Sequence, residues 1–255
     1  MATSTRVVVV RLASARNIPS SSLATSEMML IVRFPPFMEH AGVPEIWRKA
    51  RTKPEMALEE IDRLTAVGVR FGTVLADAGY GLSAPFRQGL SARKLLWTVG
   101  IPRHQKVYPI DVSLIFPVAG HGRPRKNPIP DTLSIPAETM LADASWTSLS
   151  WRIGTKGPLE AAFAATRIRV ADGEPQRILV KGQQHMPGEE AWLIGELRSS
   201  GERKYYLSNL PGDTELKTLA ASIKARWVCE QAHQQMKEEL GLDHIEGGKG
   251  STDMR

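Results

Sequence analysis

The sequence predicts an α/β protein: a mixed sheet flanked by helices, with a β-rich stretch inserted before the last helix. Three observations lead there. Between residues 53 and 101 the apolar periodicity alternates as helix, strand, helix, strand, the order of a parallel strand pair joined by a crossover. Between 147 and 210 four β-prone runs follow one another across polar or Gly-rich turns, the order of an antiparallel stretch. From Asp213 or Thr214 to about Leu240, apolar residues return at helical spacing.

Taken in order, residues 1–32 form an unassigned extension. It holds Arg6, Arg11 and Arg16, many hydroxyls and a single acid, Glu27. That is also the composition of an organellar transit peptide, although an extension of unspecified structure is the simpler reading. RVVVVRL (6–12) and MMLIVRF (28–34) each suit a strand, the second ended by Pro35 and Pro36. Pro54 suits a first helical turn, and Met56, Leu58, Ile61, Leu64 and Val67 continue that helix up to Gly68. Thr73 to Ala76 then reads as a short buried strand that ends in Asp77 and a Gly-containing turn. Ser83 caps a helix to about Lys94, and LLWTVGI (95–101) is the next strand.

Residues 102–133 are rich in Pro and Gly, and AGHGRPRKNPIP (119–130) reads as an exposed basic loop. Four strands follow: TSLSWRI (147–153), AAFAATRIRV (161–170), AWLIGELR (191–198) and KYYLSNL (204–210). On the final helix Leu216, Leu219, Ala220, Ile223, Trp227 and Met236 fall largely on one stripe, and Gly241 stops it. Residues 248–255 form a polar tail.

Composition removes several function classes. With 42% hydrophobic residues in 255 the chain can bury a core and is not generally disordered. One cysteine, Cys229, excludes an internal disulfide and a multi-cysteine zinc site, so a reducing, cytoplasmic setting is expected. No run of 18 apolar residues occurs, and no membrane partner is expected. A net charge of +6 favours a polyanionic partner. The six histidines show no ligand spacing and no HExxH, and there is no P-loop or dinucleotide fingerprint.

Two features can carry chemistry. Arg226, Glu230, His233 and Lys237 share one face of the final helix, which makes them either a solvated charged face or a carboxylate presented between cations. Asp77 is either a turn cap or a strand-end carboxylate at the place where open α/β sheets bind ligands. The interval from Arg87 to Lys126 adds eight cations (Arg87, Arg93, Lys94, Arg103, Lys106, Arg123, Arg125 and Lys126) against one acid, Asp111, and reads as a phosphate-tracking surface. GRPRK (122–126) within it is either a minor-groove hook or a plain linker. Cys229, two residues from Trp227, reads as core packing.

VLADAGYG around Asp77, WRIGTKGPLEAAFAATRIRV (151–170) and KYYLSNLPGDTELKTLAASIKARWVCEQAHQQMKEELGLDHIEG (204–247) together resemble the catalytic domain of insertion-sequence transposases of the DDE superfamily. The resemblance covers about residues 33–247, within which 102–210 is the loop and β-rich insertion. The family's helix motif is Tyr, two residues, Arg, three residues, Glu, six residues, Lys; Arg226, Glu230 and Lys237 keep that spacing and Ile223 stands at the Tyr position. The resemblance implies a ribonuclease H-like fold and a Mg²⁺- or Mn²⁺-dependent endonuclease and strand transferase acting on transposon ends and target DNA. It makes Asp77 and Glu230 the second and third metal-binding catalytic carboxylates. It also places Arg226 and Lys237 at DNA phosphates; Arg123, Arg125 and Lys126 are read as further DNA contacts from the basic interval itself.

The chain departs from the family in one respect that matters chemically. No Asp precedes Asp62, whereas a first catalytic Asp on the sheet's first strand is expected. The reading is therefore of a domain short at both ends, its first strands missing and its activity impaired, with Glu27 and Glu39 as remote substitutes for the ligand. Missing strands would leave a sheet edge open, and RVVVVRL is the segment able to pair with it. The alternative is a non-catalytic DNA-binding remnant that occupies element ends, self-associates or pairs with full-length transposase. A two-carboxylate glycosidase is a third possibility, without a trace of the aromatic sugar cleft it needs.

Overall fold

A computed structural model describes residues 7–9, 51–116, 127–154, 157–176, 183–225 and 239. The strand and helix at Asp77 form as their residues dictate. Helix α1 (Lys53–Ala66) starts at a capping box, in which Thr52 Oγ1 accepts from Glu55 N while the Glu55 carboxylate accepts from Thr52 N. Strand β2 (Thr73–Ala76) is buried along its whole length, as expected of a strand covered on both faces. The single turn α2 (Ala78–Gly81) and helix α3 (Ala84–Ala92, capped by Ser83) cross over to β3 (Leu96–Ile101), which pairs parallel with β2, Thr73 beside Leu96 and Ala76 beside Val99.

Strand β1 (Val7–Val9) pairs parallel with the other edge of β2, Val7 beside Thr73 and Val9 beside Leu75. RVVVVRL thus does supply a strand to the edge where one was expected. MMLIVRF lies outside the described residues.

The antiparallel strands arise where the sequence places them, but they belong to the same sheet. They are β8 (Thr147–Gly154), β9 (Gly157–Val170), β10 (Glu190–Arg198) and β11 (Arg203–Ser208). β11 pairs antiparallel with β3, so the nine-stranded sheet runs β1-β2-β3-β11-β10-β9 and onward to the strands described next. The predicted strand 204–210 ends at Ser208; beyond it Asn209 still holds β3, its backbone N donating to Trp97 O at 3.2 Å, its Oδ1 accepting from Trp97 N at 2.7 Å and its Nδ2 donating to Leu95 O at 2.9 Å.

The described parts of the Pro-rich region 102–133 carry short strands that its composition does not suggest. β4 (Lys106–Pro109) joins the far side of β9 beside β8, β7 (Ile135–Pro136) pairs with β4, and β5 (Leu114–Ile115) pairs with β6 (Ile129–Pro130). A single turn, α4 (Ala137–Met140), follows. Val107 and Tyr108 are fully buried, so side-chain packing holds strands whose prolines sit at strand ends.

The sheet is covered on both faces. On one, Ala57 and Ile61 of α1, Phe86 and Leu90 of α3, and Leu141 pack over Val74, Trp97, Val99, Leu193 and Leu207. On the other, a final helix α5, described over 216–225, seats Leu219, Ala220 and Ile223 on Ala161, Phe163 and Ile194. The apolar stripe read from the sequence is the buried face there; Trp227 and Met236 lie outside the described residues. Trp97 is buried, while Trp146, Trp151 and Trp192 are half-buried. This mixed sheet with helices on both faces is a ribonuclease H-like architecture.

Gly81 lies so close to β3 that a Cβ on it would stand 1.9 Å from the carbonyl oxygen of Gly100. The obstacle is backbone and has nowhere to move. Gly81→Ala is expected to cost about 3 kcal/mol, the upper end of overpacking. Gly212→Ala, whose nearest neighbour would be Arg167 Nε at 4.0 Å, should stay within about 0.5 kcal/mol of the parent. Urea unfolding of the two variants checks the difference.

Candidate functional site

Asp77 follows the last residue of β2, at the carboxyl end that β1, β2 and β3 share as parallel strands. Its Oδ1 accepts from Gly79 N at 2.9 Å and Tyr80 N at 3.3 Å, which caps α2. Tyr80 is anchored against Phe86, ring centroids 5.6 Å apart, and Gly81 lets the turn lie flat on β3. Among the described residues no donor meets Oδ2. Asp77 is therefore a turn cap through one oxygen, and its exposed side chain keeps the other without a donor among the described residues.

Asp77 lines a cleft of 1330 Å³ bounded by the end of β3, the start of β9, the β10–β11 hairpin and the last turn described for α5. Ile223, Lys224 and Ala225 of that helix stand in its wall. The cleft is cationic: Arg103, Arg198, Arg203, Lys204 and Lys224 line it against Asp77, Glu160 and Glu196. Arg103 and Lys204 have surface acids at 3.8 Å (Glu138) and 3.5 Å (Glu202), contacts that water screens and an incoming anion can displace.

Glu196 is the feature that sequence reasoning missed. Fully buried, it accepts at Oε1 from Lys224 Nζ and Arg198 Nε (2.8 Å) and at Oε2 from the Tyr206 hydroxyl (2.8 Å). Burial alone would raise its pKa; the hydrogen bonds from Lys224, Arg198 and Tyr206 outweigh burial and hold the carboxyl below its ordinary value of 4.5. Burial pushes the Lys224 ammonium below its ordinary value of 10.5 in spite of the same carboxylate. The signal was present in AWLIGELR: an acid on the strand face that carries Trp192 and Ile194 toward α5 needs a buried partner.

Of the site residues read from sequence, Asp77 stands in the cleft. Glu230, Arg226, Lys237, Arg123, Arg125, Lys126 and Cys229 lie outside the described residues. The described cations of the run, Arg87 to Lys106, do not form one surface. Arg87 is 2% exposed and clamps α3 to Asp172 at 2.5 Å and to the Gly81 carbonyl, its Nε unpartnered. Arg93 grips Asp62 with both donors at 2.6 Å, and of the first five only Arg103 lines the cleft. Counting cations treats each one as surface; Arg87 follows Phe86 and precedes Leu90 on the buried side of α3. Among the described residues no group of three or more His, Cys, Asp or Glu could hold a metal, and no helix is long and apolar enough to cross a membrane.

A sheet of this order, with a carboxylate at the carboxyl end of a central parallel strand and a cationic cleft beside it, defines the class: a nuclease-type ribonuclease H-like domain. The chain belongs to the DDE superfamily endonuclease family, whose profile matches residues 4–158, from just before β1 to the start of β9. That family acts as transposase-type nucleases on DNA with divalent metals. No curated protein matches the chain.

Two stability measurements follow. Asp77→Ala loses the cap and should cost about 1 kcal/mol, whereas Asp77→Asn keeps an accepting oxygen and should cost only a few tenths; urea unfolding separates them. The folded pKa of Glu196 lies below its unfolded value, so its stabilisation is complete above about pH 4.5 and is lost as pH falls through the folded value. Thermal melts from pH 6 down to about pH 3 should fall more steeply for the parent than for Glu196→Gln.

Proposed function

We propose that the chain is a partial, impaired DDE transposase of the insertion-sequence type, its site assembled from Asp77 and Glu230, with Mg²⁺ or Mn²⁺ as its metal. The supporting observation is that Asp77 keeps an oxygen without a donor among the described residues, in a cationic cleft walled by α5, with Glu230 five residues beyond that helix's last described residue in sequence. On an unbroken helix Ile223 and Glu230 stand seven residues apart and share a face, and Ile223 already lines that cleft.

The donor chemistry suits a hard cation. Mg²⁺ asks for one or two carboxylates and completes its shell with water and phosphate oxygens. Asp77 and Glu230 would hold it, and the bound ion would stabilise negative charge on the attacking and leaving oxygens of a phosphodiester. The protein's own part is to aim Asp77 through its cap, to bring DNA phosphates in on Arg103 and the β10–β11 cations, and to grip the backbone with Arg226 and Lys237. Arg123, Arg125 and Lys126 extend that grip.

β1 supports the reading of impairment. It lies beside β2 with three valines, and residues 1–61 contain no Asp. Loss of one carboxylate from a two-metal site removes several kcal/mol of charge stabilisation. The same observation favours a second reading, a DNA-binding remnant that occupies element ends or associates with itself or a full-length transposase.

Incubation of the chain with supercoiled DNA bearing the element ends tests both readings. Weak nicking that requires Mn²⁺ or Mg²⁺ is expected, falling at least about 100-fold in Asp77→Asn and in Glu230→Gln. Nicking that persists in both variants overturns the site. A salt-sensitive gel shift without metal-dependent cleavage selects the remnant instead.

A further inference from the structure

Glu196 invites a tempting role as the missing metal ligand, since it lines the same cleft as Asp77. Its chemistry points elsewhere. Both oxygens are taken, Oε1 by Lys224 and Arg198 and Oε2 by Tyr206, and the side chain is 0% exposed. Asp77, by contrast, is exposed and keeps one oxygen without a donor among the described residues. A carboxylate held by two cations and a hydroxyl is an anchor.

What it anchors is α5. Lys224 is 14% exposed, with Nζ 2.5 Å from Glu196 Oε1, 4.0 Å from the centre of the Trp151 ring and 5.7 Å from that of Phe163. Three strands therefore grip one ammonium: β10 through the carboxylate, β8 through Trp151 and β9 through Phe163. The apolar stripe Leu219, Ala220 and Ile223 presses the helix onto the sheet, but apolar contact is non-directional and tolerates rotation and sliding. A buried ion pair with fixed geometry tolerates neither, and specifying register is the best-attested use of such pairs.

We infer that Glu196 and Lys224, seated on Trp151, form a positioning latch that fixes the rotation and axial setting of α5 on the β-rich strands, and thereby sets where the helix carries Glu230 relative to Asp77. The inference rests on Glu230 being the carboxylate of that helix. The β-rich stretch thereby gains a mechanical role, since strands that hold no proposed metal ligand hold the element that does. Glu196 and Lys224 are positioning residues and touch neither DNA nor metal.

Pulsed electron paramagnetic resonance reads the setting directly. Spin labels go on the full chain at Ala78→Cys, beside Asp77, and at Glu239→Cys, both exposed positions, in a Cys229→Ser background. One narrow distance is expected. The double variant Glu196→Gln/Lys224→Met removes both charges at nearly constant volume, so it folds even if Lys224→Met alone does not. It should shift the distance or broaden it about twofold, because only the apolar stripe then holds the helix. Lys224→Arg should restore the narrow distance. Arg87→Met, which breaks the buried pair with Asp172, should lower the melting temperature and leave the distance unchanged, separating positioning from general stability.

A folded double variant that keeps the narrow distance overturns the latch. So does a loss of Mn²⁺ affinity with the distance unchanged, which would make Glu196 a ligand. The distance is measured without DNA or metal, so a chain that never nicks DNA still answers the question.

Discussion

The pairing of β3 with β11 is the constraint on which the rest depends. β3 is parallel to β2 along one edge and antiparallel to β11 along the other, Gly100 beside Tyr206 and Thr98 beside Ser208. At its end Asn209 lengthens the seam with both groups of its amide, and the hydroxyls of Thr98 and Ser208 meet at 2.9 Å. One side of this seam carries Asp77; the other carries Glu196 and most of the seat of the final helix. Only because the two halves share one sheet do these groups face a common cleft.

Within that cleft the charges are divided by burial. Glu196 is desolvated and saturated with donors, so its charge is spent internally. Asp77 is exposed and half-used. Arg103 and Lys204 contact surface acids whose hold on them is weak in water. A polyanion entering the cleft would therefore meet cations it can recruit, beside the exposed carboxylates of Asp77 and Glu160. On the function proposed above, this division would serve phosphodiester chemistry, which needs both a metal-holding carboxylate and cations for phosphate.

Much of the fold was legible because its signals are local. β2 and β3 showed as apolar runs bounded by turns, and the four later strands kept their predicted positions to within a few residues, since each is long enough to display its pattern. Asp77 was legible for the same reason, a carboxylate between a strand and a Gly turn. The short strands between 106 and 136 were not, because two to four residues broken by proline display no period. Nor was the seam, or the pairing of Glu196 with Lys224: each partner type stood in plain view, but nothing local says which distant residue answers it. Arg87 misled because its charge is visible in sequence and its burial on α3 is not.

The seam also imposes an order in time. Asn209 reaches back on the order of a hundred residues to the backbone of Leu95 and Trp97, so a nascent chain completes β2 and β3 long before it has made the strand that closes them. Throughout that interval the β3 edge offers open amides and carbonyls to any neighbour. That edge can be covered only once Arg203–Ser208 has been made.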